Sequence, residues 1–250
     1  DLHSTSRRQR QMCIRDSIGA MQEEVESLIS SMENVKKKTK ASMDFYEGRL
    51  WGNDTVVVMS GIGKVNMAVC AQILIDSFGV EKLINTGVAG GLYKDIEIGD
   101  IVISSDAVQH DMDAVGFGYQ LGEIPRMECS VFQADAALIK EAEEACKKAN
   151  PDIQCFTGRV LSGDQFISSD QKKHWLIENF GGYCAEMEGA AMAQTAYLND
   201  VPFVILRAIS DKCDDTATVN YSEFEEAAIK HIIRLIHGIL DKEASNFVRQ

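Results

Sequence analysis

The sequence lacks an apolar run of membrane-spanning length, a signal peptide with an apolar core, and a paired cysteine motif. A spanning helix needs about 20 predominantly apolar residues, so no membrane partner is expected. The seven cysteines are scattered without a CxxC pair. Such an odd, dispersed set favours reduced thiols in a cytoplasm over a disulfide framework or a zinc site.

Positive charge is also in short supply. Lys and Arg total 25 against 38 Asp and Glu, for a net charge of -13. A chain this acidic is a poor partner for a nucleic-acid backbone or an anionic membrane. His110 and His174 are isolated, so no metal site is expected. A serine or cysteine nucleophile stays an alternative, although the G-x-S-x-G turn that marks many serine hydrolases is absent.

What the chain does contain is an alternation of strand-like and helical patterns. Its 250 residues are 45% hydrophobic and 25% charged, enough for one ample domain. The alternation predicts an α/β class: a single three-layer domain with a central mixed, twisted sheet and helices on both faces. Among its elements we expect a hairpin over 45–60 and a final helix over 221–240. The three glycines at 87–91, after a short strand, favour close approach of the backbone to a ligand over the competing interpretation of a plain turn.

The two ends differ from the rest. Residues 1–17 are polar and basic, and Arg15, Asp16 and Ser17 interrupt the only strand-like run there. We interpret this segment as non-native-looking or disordered, the domain as 18–241, and 242–250 as a tail. Residues 212–220 are expected to be mobile. The long loop at 109–128 carries aromatic residues that favour a lid or an interface.

The stretch with the clearest chemical content is Glu186-Met187-Glu188. It follows an apolar step and precedes small residues, a pattern typical of a buried strand end that leads into a packed helix. Strand alternation predicts that the two glutamates share one face, where they suit a hydroxyl-rich substrate. The competing interpretation is a surface turn with two solvated acids. Glu24 likewise has two interpretations, a partner of the helix dipole or a group that faces a ligand.

Polar residues collect at the ends of the other predicted strands too. Since no metal set appears, carboxylate chemistry remains: one acid protonates a leaving group while another activates water. Phe166 offers a face on which a flat base can stack, which favours an N-glycoside. The turn at 60–64 looks like a phosphate loop but lacks the spacing of either known fingerprint.

Six motifs then identify a family: 19–24 (GAMQEE), 60–64 (SGIGK), 85–91 (NTGVAGG), 162–166 (SGDQF), 186–188 (EME) and 207–211 (RAISD). In this order and spacing the chain resembles the 5′-methylthioadenosine/S-adenosylhomocysteine nucleosidases of the purine nucleoside phosphorylase superfamily. The resemblance covers about 18–241 and implies the nucleoside phosphorylase-like fold.

The resemblance implies irreversible hydrolysis of the adenine–ribose bond, with no cofactor. Asp211 would protonate adenine N7 and Glu24 would activate the attacking water. A carboxylate at Glu24 would also repel phosphate, which distinguishes a hydrolase from a phosphorylase. Nearby acids would stabilise the positive charge that builds at C1′. The implied catalytic and substrate-binding set is Glu24, Asp211, Met21, Ile62, Val88, Ala89, Gly90, Phe166, Ile167, Glu186, Met187, Glu188, Arg207, Ser210, Phe117 and Tyr221.

Within this set, Glu188 would hold the ribose hydroxyls, Met187 would pack beneath the sugar, and Phe166 would stack on adenine. The residue that matches Phe117 in relatives comes from the neighbouring subunit, which implies a homodimer. Many relatives have serine in place of Val88, which bears on the tuning of Asp211. The alternatives are a phosphate-dependent purine nucleoside phosphorylase and a catalytically silent nucleoside-binding protein.

Overall fold

The computed structural model describes the backbone at residues 15–19 and 22–247, and the side chains at 25–218, 224 and 226–241. Within these ranges lie ten strands and six α-helices. The strands are β1 (Arg15–Gly19), β2 (Met32–Lys40), β3 (Met43–Leu50), β4 (Asn53–Met59), β5 (Lys82–Gly91), β6 (Ile101–Gln109), β7 (Phe132–Gln133), β8 (Cys155–Ser162), β9 (Cys184–Glu186) and β10 (Phe203–Asp211). The helices are α1 (Gln22–Ser30), α2 (Lys64–Ile73, continued by a π-helical turn at Leu74–Phe78), α3 (Ala136–Ala149), α4 (Asp170–Phe180), α5 (Gly189–Leu198) and α6 (Ala217–Phe247).

The sheet is mixed, as predicted, and it also closes on itself. Strand β5 pairs in parallel with β1 and β10 and antiparallel with β9. Strands β10, β6, β8 and β9 are bonded in that order, so with β5 they form a closed ring. From β1 the sheet continues through β4, β3 and β2. The alternation of strands and helices did not indicate this closure, which brings the ends of β5, β8, β9 and β10 together.

Helices cover both faces of the sheet, which confirms the predicted layers. On one face α2 and α5 bury Met67, Leu74 and Met192 against the strands. On the other face α1, α3 and α6 bury residues that include Leu28 and Ile232. No helix in the described part has the length and apolar character needed to cross a bilayer.

Local sequence sets the helix ends that matter for the site. The Asp135 carboxylate caps α3 by accepting from two backbone N–H groups at 2.9 and 3.0 Å, and Ser169 caps α4. Such caps satisfy donors that the first helical turn leaves without partners. Helix α4 ends at Gly181 with φ of 63°, a conformation that glycine adopts at little cost.

The structure corrects the prediction for Arg15–Ser17. These residues do not interrupt a strand, because β1 begins at Arg15, three residues before the predicted domain start at 18. Strand β1 is bonded in parallel to β4 on one side and β5 on the other. Pairing on both sides satisfies backbone groups whatever the side chains are. The predicted segment 1–17 otherwise lies outside the described residues, as does 248–250.

The boundaries of the last helix and of the strand that contains 87–91 also differ from the predicted ones. Helix α6 runs from Ala217 to Phe247, so it takes in part of the predicted mobile segment 212–220 and most of the predicted tail. The glycines at 87–91 are not a turn but the last part of β5. The hairpin over 45–60 is confirmed as β3 and β4.

Candidate active site

The ends of β5, β9 and β10 surround a cavity of about 380 Å³. Its described lining is Ile62, Val88, Ala89, Gly90, Phe166, Ala185, Glu186, Met187, Glu188, Ser210 and Asp211. A larger groove of about 610 Å³ lies along 132–136 and 196–203. Of its two acids, Asp135 is already used as the α3 cap and Asp200 is exposed. The smaller cavity is therefore the candidate site, since it combines apolar walls with buried acids.

Glu186 is the most completely bonded of these acids. Its carboxylate accepts from the Ser162 hydroxyl, from the Gly189 N–H at 2.8 Å and from Arg207 Nη2 at 2.5 Å. The side chain of Arg207 is fully buried and that of Glu186 is 2% exposed. A buried carboxylate needs this many donors to stay ionised. Glu186 is thus fixed in one orientation at the end of β9.

Glu188 does not follow Glu186 along the strand as predicted. Strand β9 ends at Glu186, and Glu188 is the residue before the first turn of α5. The shared-face argument from strand alternation is therefore wrong, although both residues line the cavity. Glu188 lines the cavity from the junction between β9 and α5, with backbone angles (φ of -132°, ψ of -44°) that are neither those of a strand nor those of a helix.

A glycine turn holds Glu188 in place. The Gly63 N–H donates to Glu188 Oε1 at 2.8 Å, and Gly63 has φ of 97°, a conformation that glycine adopts far more readily than other residues. The turn that superficially resembles a phosphate loop thus donates to a carboxylate of the protein. Burial, with the nearby charge of Glu186, raises the pKa of Glu188 to about 7.

This turn is itself tied to two neighbouring loops. Lys64 Nζ lies 2.6 Å from Asp111 Oδ1 in the long loop after β6. The Lys64 N–H donates to Asp164 Oδ1 at 2.9 Å in the loop after β8. One partly buried ion pair and its neighbouring hydrogen bond therefore tie the long loop to the two segments that contribute Ile62 and Phe166 to the cavity lining.

The raised pKa of Glu188 predicts a pH-dependent stability. A carboxyl group whose folded pKa exceeds its unfolded value contributes stability that is full below the unfolded pKa. That contribution is lost as pH rises through about 7. We expect Glu188→Gln to remove it, so that the wild type becomes less stable relative to the variant between about pH 5 and about pH 8. Urea unfolding at each pH measures the free energy of unfolding of both proteins, and Glu178→Gln, at an exposed glutamate, is the control. Parallel pH profiles of this free energy for wild type and Glu188→Gln would contradict the prediction.

Asp211 ends β10 and faces the cavity with 2% of its surface exposed. Its Oδ1 accepts from the Cys213 N–H at 2.8 Å and its Oδ2 from the Ser210 hydroxyl at 3.0 Å. Burial raises the pKa of Asp211, while these two hydrogen bonds oppose the rise. A carboxyl group of this kind is poised to carry and release a proton.

Gly90 explains why glycines stand at the end of β5. A Cβ at this position would lie 2.2 Å from Cys213 Sγ and 2.7 Å from Asp211 Oδ1. Gly90 and Asp211 are also register partners, beside an irregularity in β10. We predicted that the glycines let the backbone approach a ligand; the structure shows that Gly90 admits the Asp211 side chain.

The remaining predicted residues fall into three groups. Phe166 and Ile62 border the cavity and are 50% and 62% exposed. Ile167 and Arg207 are buried outside the described lining, and Phe117 is 89% exposed on the long loop. The side chains of Met21, Glu24 and Tyr221 lie outside the described residues.

Two contributors were missed from the sequence. Ala185 lines the cavity, and Ser162, at the end of β8, donates to Glu186. Ser162 belongs to the motif at 162–166 and to the polar residues expected at strand ends, but the predicted residue set did not include it. Among the described residues no group of three His, Cys, Asp or Glu side chains is placed to hold a metal ion.

The chain matches the family model of the phosphorylase superfamily over residues 17–241. It is 38% identical over 226 residues to a 5′-methylthioadenosine/S-adenosylhomocysteine nucleosidase of Bacillus thuringiensis, covering 90% of this chain and 97% of that protein. The structure of the nucleosidase from Neisseria meningitidis in complex with methylthio-immucillin-A superposes with a TM-score of 0.88 at 37% identity, covering 92% and 100% of the two chains. A futalosine hydrolase of Helicobacter pylori superposes with a TM-score of 0.86 at 30% identity, covering 92% and 97%.

Proposed function

The chain belongs to the phosphorylase superfamily, and from this premise we propose that it hydrolyses the N-glycosidic bond of 5′-methylthioadenosine and S-adenosylhomocysteine. The products are adenine and the 5-thioribose derivative. The observation that carries the proposal is that Glu188 and Asp211, two buried acids with raised pKa values, face one cavity whose other walls are largely apolar. A nucleoside presents hydroxyls, a flat base and an apolar 5′ group, which such a cavity suits.

In the proposed reaction, water attacks C1′ as the C1′–N9 bond breaks and its electron pair passes to the base. Asp211 gives its proton to adenine N7, so the base leaves neutral. Glu24 accepts the proton of the attacking water; its role rests on the motif at 19–24. The carboxylate of Glu188 binds the ribose hydroxyls and favours the positive charge that develops on the sugar. Phe166 stacks on the base and Met187 packs beneath the ribose.

Electrostatics favour water over phosphate as the second substrate. The described cavity lining contains three acids and no Lys or Arg. The buried cation Arg207, which lies behind this lining, is bonded to Glu186 and Asn85. A phosphate-binding site needs cationic or backbone donors aimed at the anion, so the described lining supports hydrolysis rather than phosphorolysis.

Release of the base with and without phosphate tests the proposal. We expect adenine from 5′-methylthioadenosine and S-adenosylhomocysteine without phosphate, together with a free reducing sugar. 5′-Deoxyadenosine and futalosine serve as comparison substrates, the latter because of the similarity to a futalosine hydrolase. A requirement for phosphate would identify a phosphorylase, base release from futalosine alone would identify the other hydrolase activity, and binding without release would identify a silent nucleoside-binding protein.

We also propose a homodimer that covers the mouth of the cavity. Ile62, Val65 and Val69 are exposed on the glycine turn and α2, and Val115 and Phe117 are exposed on the long loop that Lys64 binds through Asp111. Exposed apolar groups of this kind mark interaction surfaces. Light scattering would show a monomer if this is wrong, and Phe117→Ala should raise KM in a dimer whose partner completes the site.

A cytoplasmic location stays a prediction, which cell fractionation would test. No disulfide joins the described cysteines.

A further inference from the structure

One peptide group connects a lysine of α4 to the proposed general acid. The carbonyl of Lys212 accepts a hydrogen bond from Lys173 Nζ at 2.6 Å. The N–H of the same peptide group, that of Cys213, donates to Asp211 Oδ1 at 2.8 Å. Hydrogen bonds in series polarise one another, so an ammonium group on the carbonyl strengthens the bond that the N–H makes to the carboxylate.

The loop between β10 and α6 has an unusual backbone conformation, and contacts from more than one element hold it in place. Cys213 has φ of 54°, a left-handed conformation that is unfavourable for a residue with a Cβ. The side chain of Lys212 points away from Asp211 and binds the carbonyl of Ile96 and the carboxylate of Glu97. Lys173 therefore supplies the contact from α4 to a peptide group whose orientation must be enforced by its surroundings.

The position of Lys173 in α4 relates this contact to the loop that carries Phe166. It lies in the first turns of α4, which begins three residues after Ile167 and is capped by Ser169. The preceding loop carries Phe166, which borders the cavity. Helix α4 thus connects the loop proposed to bind the base with the acid proposed to protonate it.

We propose that Lys173 is a positioning residue that holds Asp211 for proton transfer through the peptide group between Lys212 and Cys213. The inference rests on the proposed function, because it assigns Lys173 a part in the step that Asp211 performs. No motif that carries the family resemblance includes Lys173. It acts on Asp211 in two ways, by orienting the Cys213 N–H and by placing a positive charge near the carboxyl group.

Few other charges act on Asp211. Within its own loop the carboxylate of Asp214 raises its pKa, and from α4 the charge of Lys173 lowers it. The Cys213 thiol also faces it, with its own pKa raised by burial. From β5 the closest residues, Ala89 and Gly90, carry no charge. Lys173 is thus the cation that offsets Asp214 among the described residues around Asp211.

The test compares Lys173→Met with Lys173→Arg. We expect Lys173→Met to raise the pKa of Asp211, because the ionised form loses a nearby cation and a polarised donor. A weaker acid protonates the base less well, so kcat should fall about three- to tenfold. Activity requires protonated Asp211, so the decline at alkaline pH should move to higher pH. Lys173→Arg should restore the wild-type profile, and KM should change little.

The matched control is Lys172→Met, the adjacent lysine, whose ammonium lies over the Trp175 ring. A carbon-13 NMR titration of the aspartate carboxyl groups, with Asp211→Asn used to assign the signal, reads the pKa of Asp211 without any turnover. If wild type releases no adenine, the proposed function fails while the titration still tests Lys173. An unchanged Asp211 titration in Lys173→Met, or an equal shift in Lys172→Met, would overturn the inference. Melting temperatures of all variants separate a folding defect from either result.

Discussion

Replacement of Asp211 by Asn is expected to lower kcat for adenine release by about 10²–10⁴-fold, the usual contribution of a general acid. Asn has nearly the same shape and retains an oxygen that can accept from the Cys213 N–H, which now bonds Asp211 at 2.8 Å. It has no acidic proton to give to N7. The base would then have to leave as an anion, so the chemical step slows while the nucleoside still binds.

Single-turnover release of adenine from 5′-methylthioadenosine measures this effect directly. Binding of methylthio-immucillin-A, the inhibitor held by the Neisseria meningitidis relative, shows whether the cavity survives the substitution. Asp215→Asn is the control, since Asp215 is an exposed acid in the same loop. A kcat for Asp211→Asn within about tenfold of wild type would exclude Asp211 as the principal acid.

The second large effect concerns stability. Arg207 and Glu186 form an ion pair at 2.5 Å with side-chain exposures of 0% and 2%. Removal of one partner from a buried pair leaves an uncompensated charge, at a cost of about 3–5 kcal/mol. For a chain of this size each kcal/mol shifts Tm by about 2–4 °C. We therefore expect Arg207→Met to lower Tm by roughly 6–20 °C.

A double-mutant cycle checks the cause. In Glu186→Gln/Arg207→Met both charges of this ion pair are removed, so much of the loss in the single variant should be recovered. Urea unfolding of the four proteins gives the coupling free energy. Additive losses would mean that the pair does not act as a unit. Activity should stay low in the double variant, because Glu186 lines the cavity and its amide analogue lacks the charge.

The candidate site shows where prediction from the sequence reached its limit. The short motifs directed attention to Glu186, Glu188 and Asp211, which line one cavity. Each lies at or just beyond the end of a strand whose apolar pattern is visible locally. The relative positions of these three side chains could not be predicted from the sequence. Glu188 was expected to share a strand face with Glu186, yet it precedes α5 and is held by Gly63, 125 residues away in the chain.

The glycines at 87–91 show the same limit of prediction from the sequence. Their number suggested close approach of the backbone to a ligand, which stays a prediction. Whether the approach involved a turn, a ligand or another side chain depended on the register of β5 with β10. Only the folded chain shows that Gly90 leaves room for Asp211 and Cys213.

By itself the sequence determined the α/β class, the layers of helices and the family, since periodicity and contiguous motifs are local properties of a chain. The tertiary structure decided the closed ring of five strands, the donor to Glu188 and the link from Lys173 to Asp211. Each of these depends on groups far apart in sequence, such as Lys173 and Lys212, which are 39 residues apart. Hydrogen bonds and buried charges act over a few ångströms, so their partners are set by how the strands and helices pack.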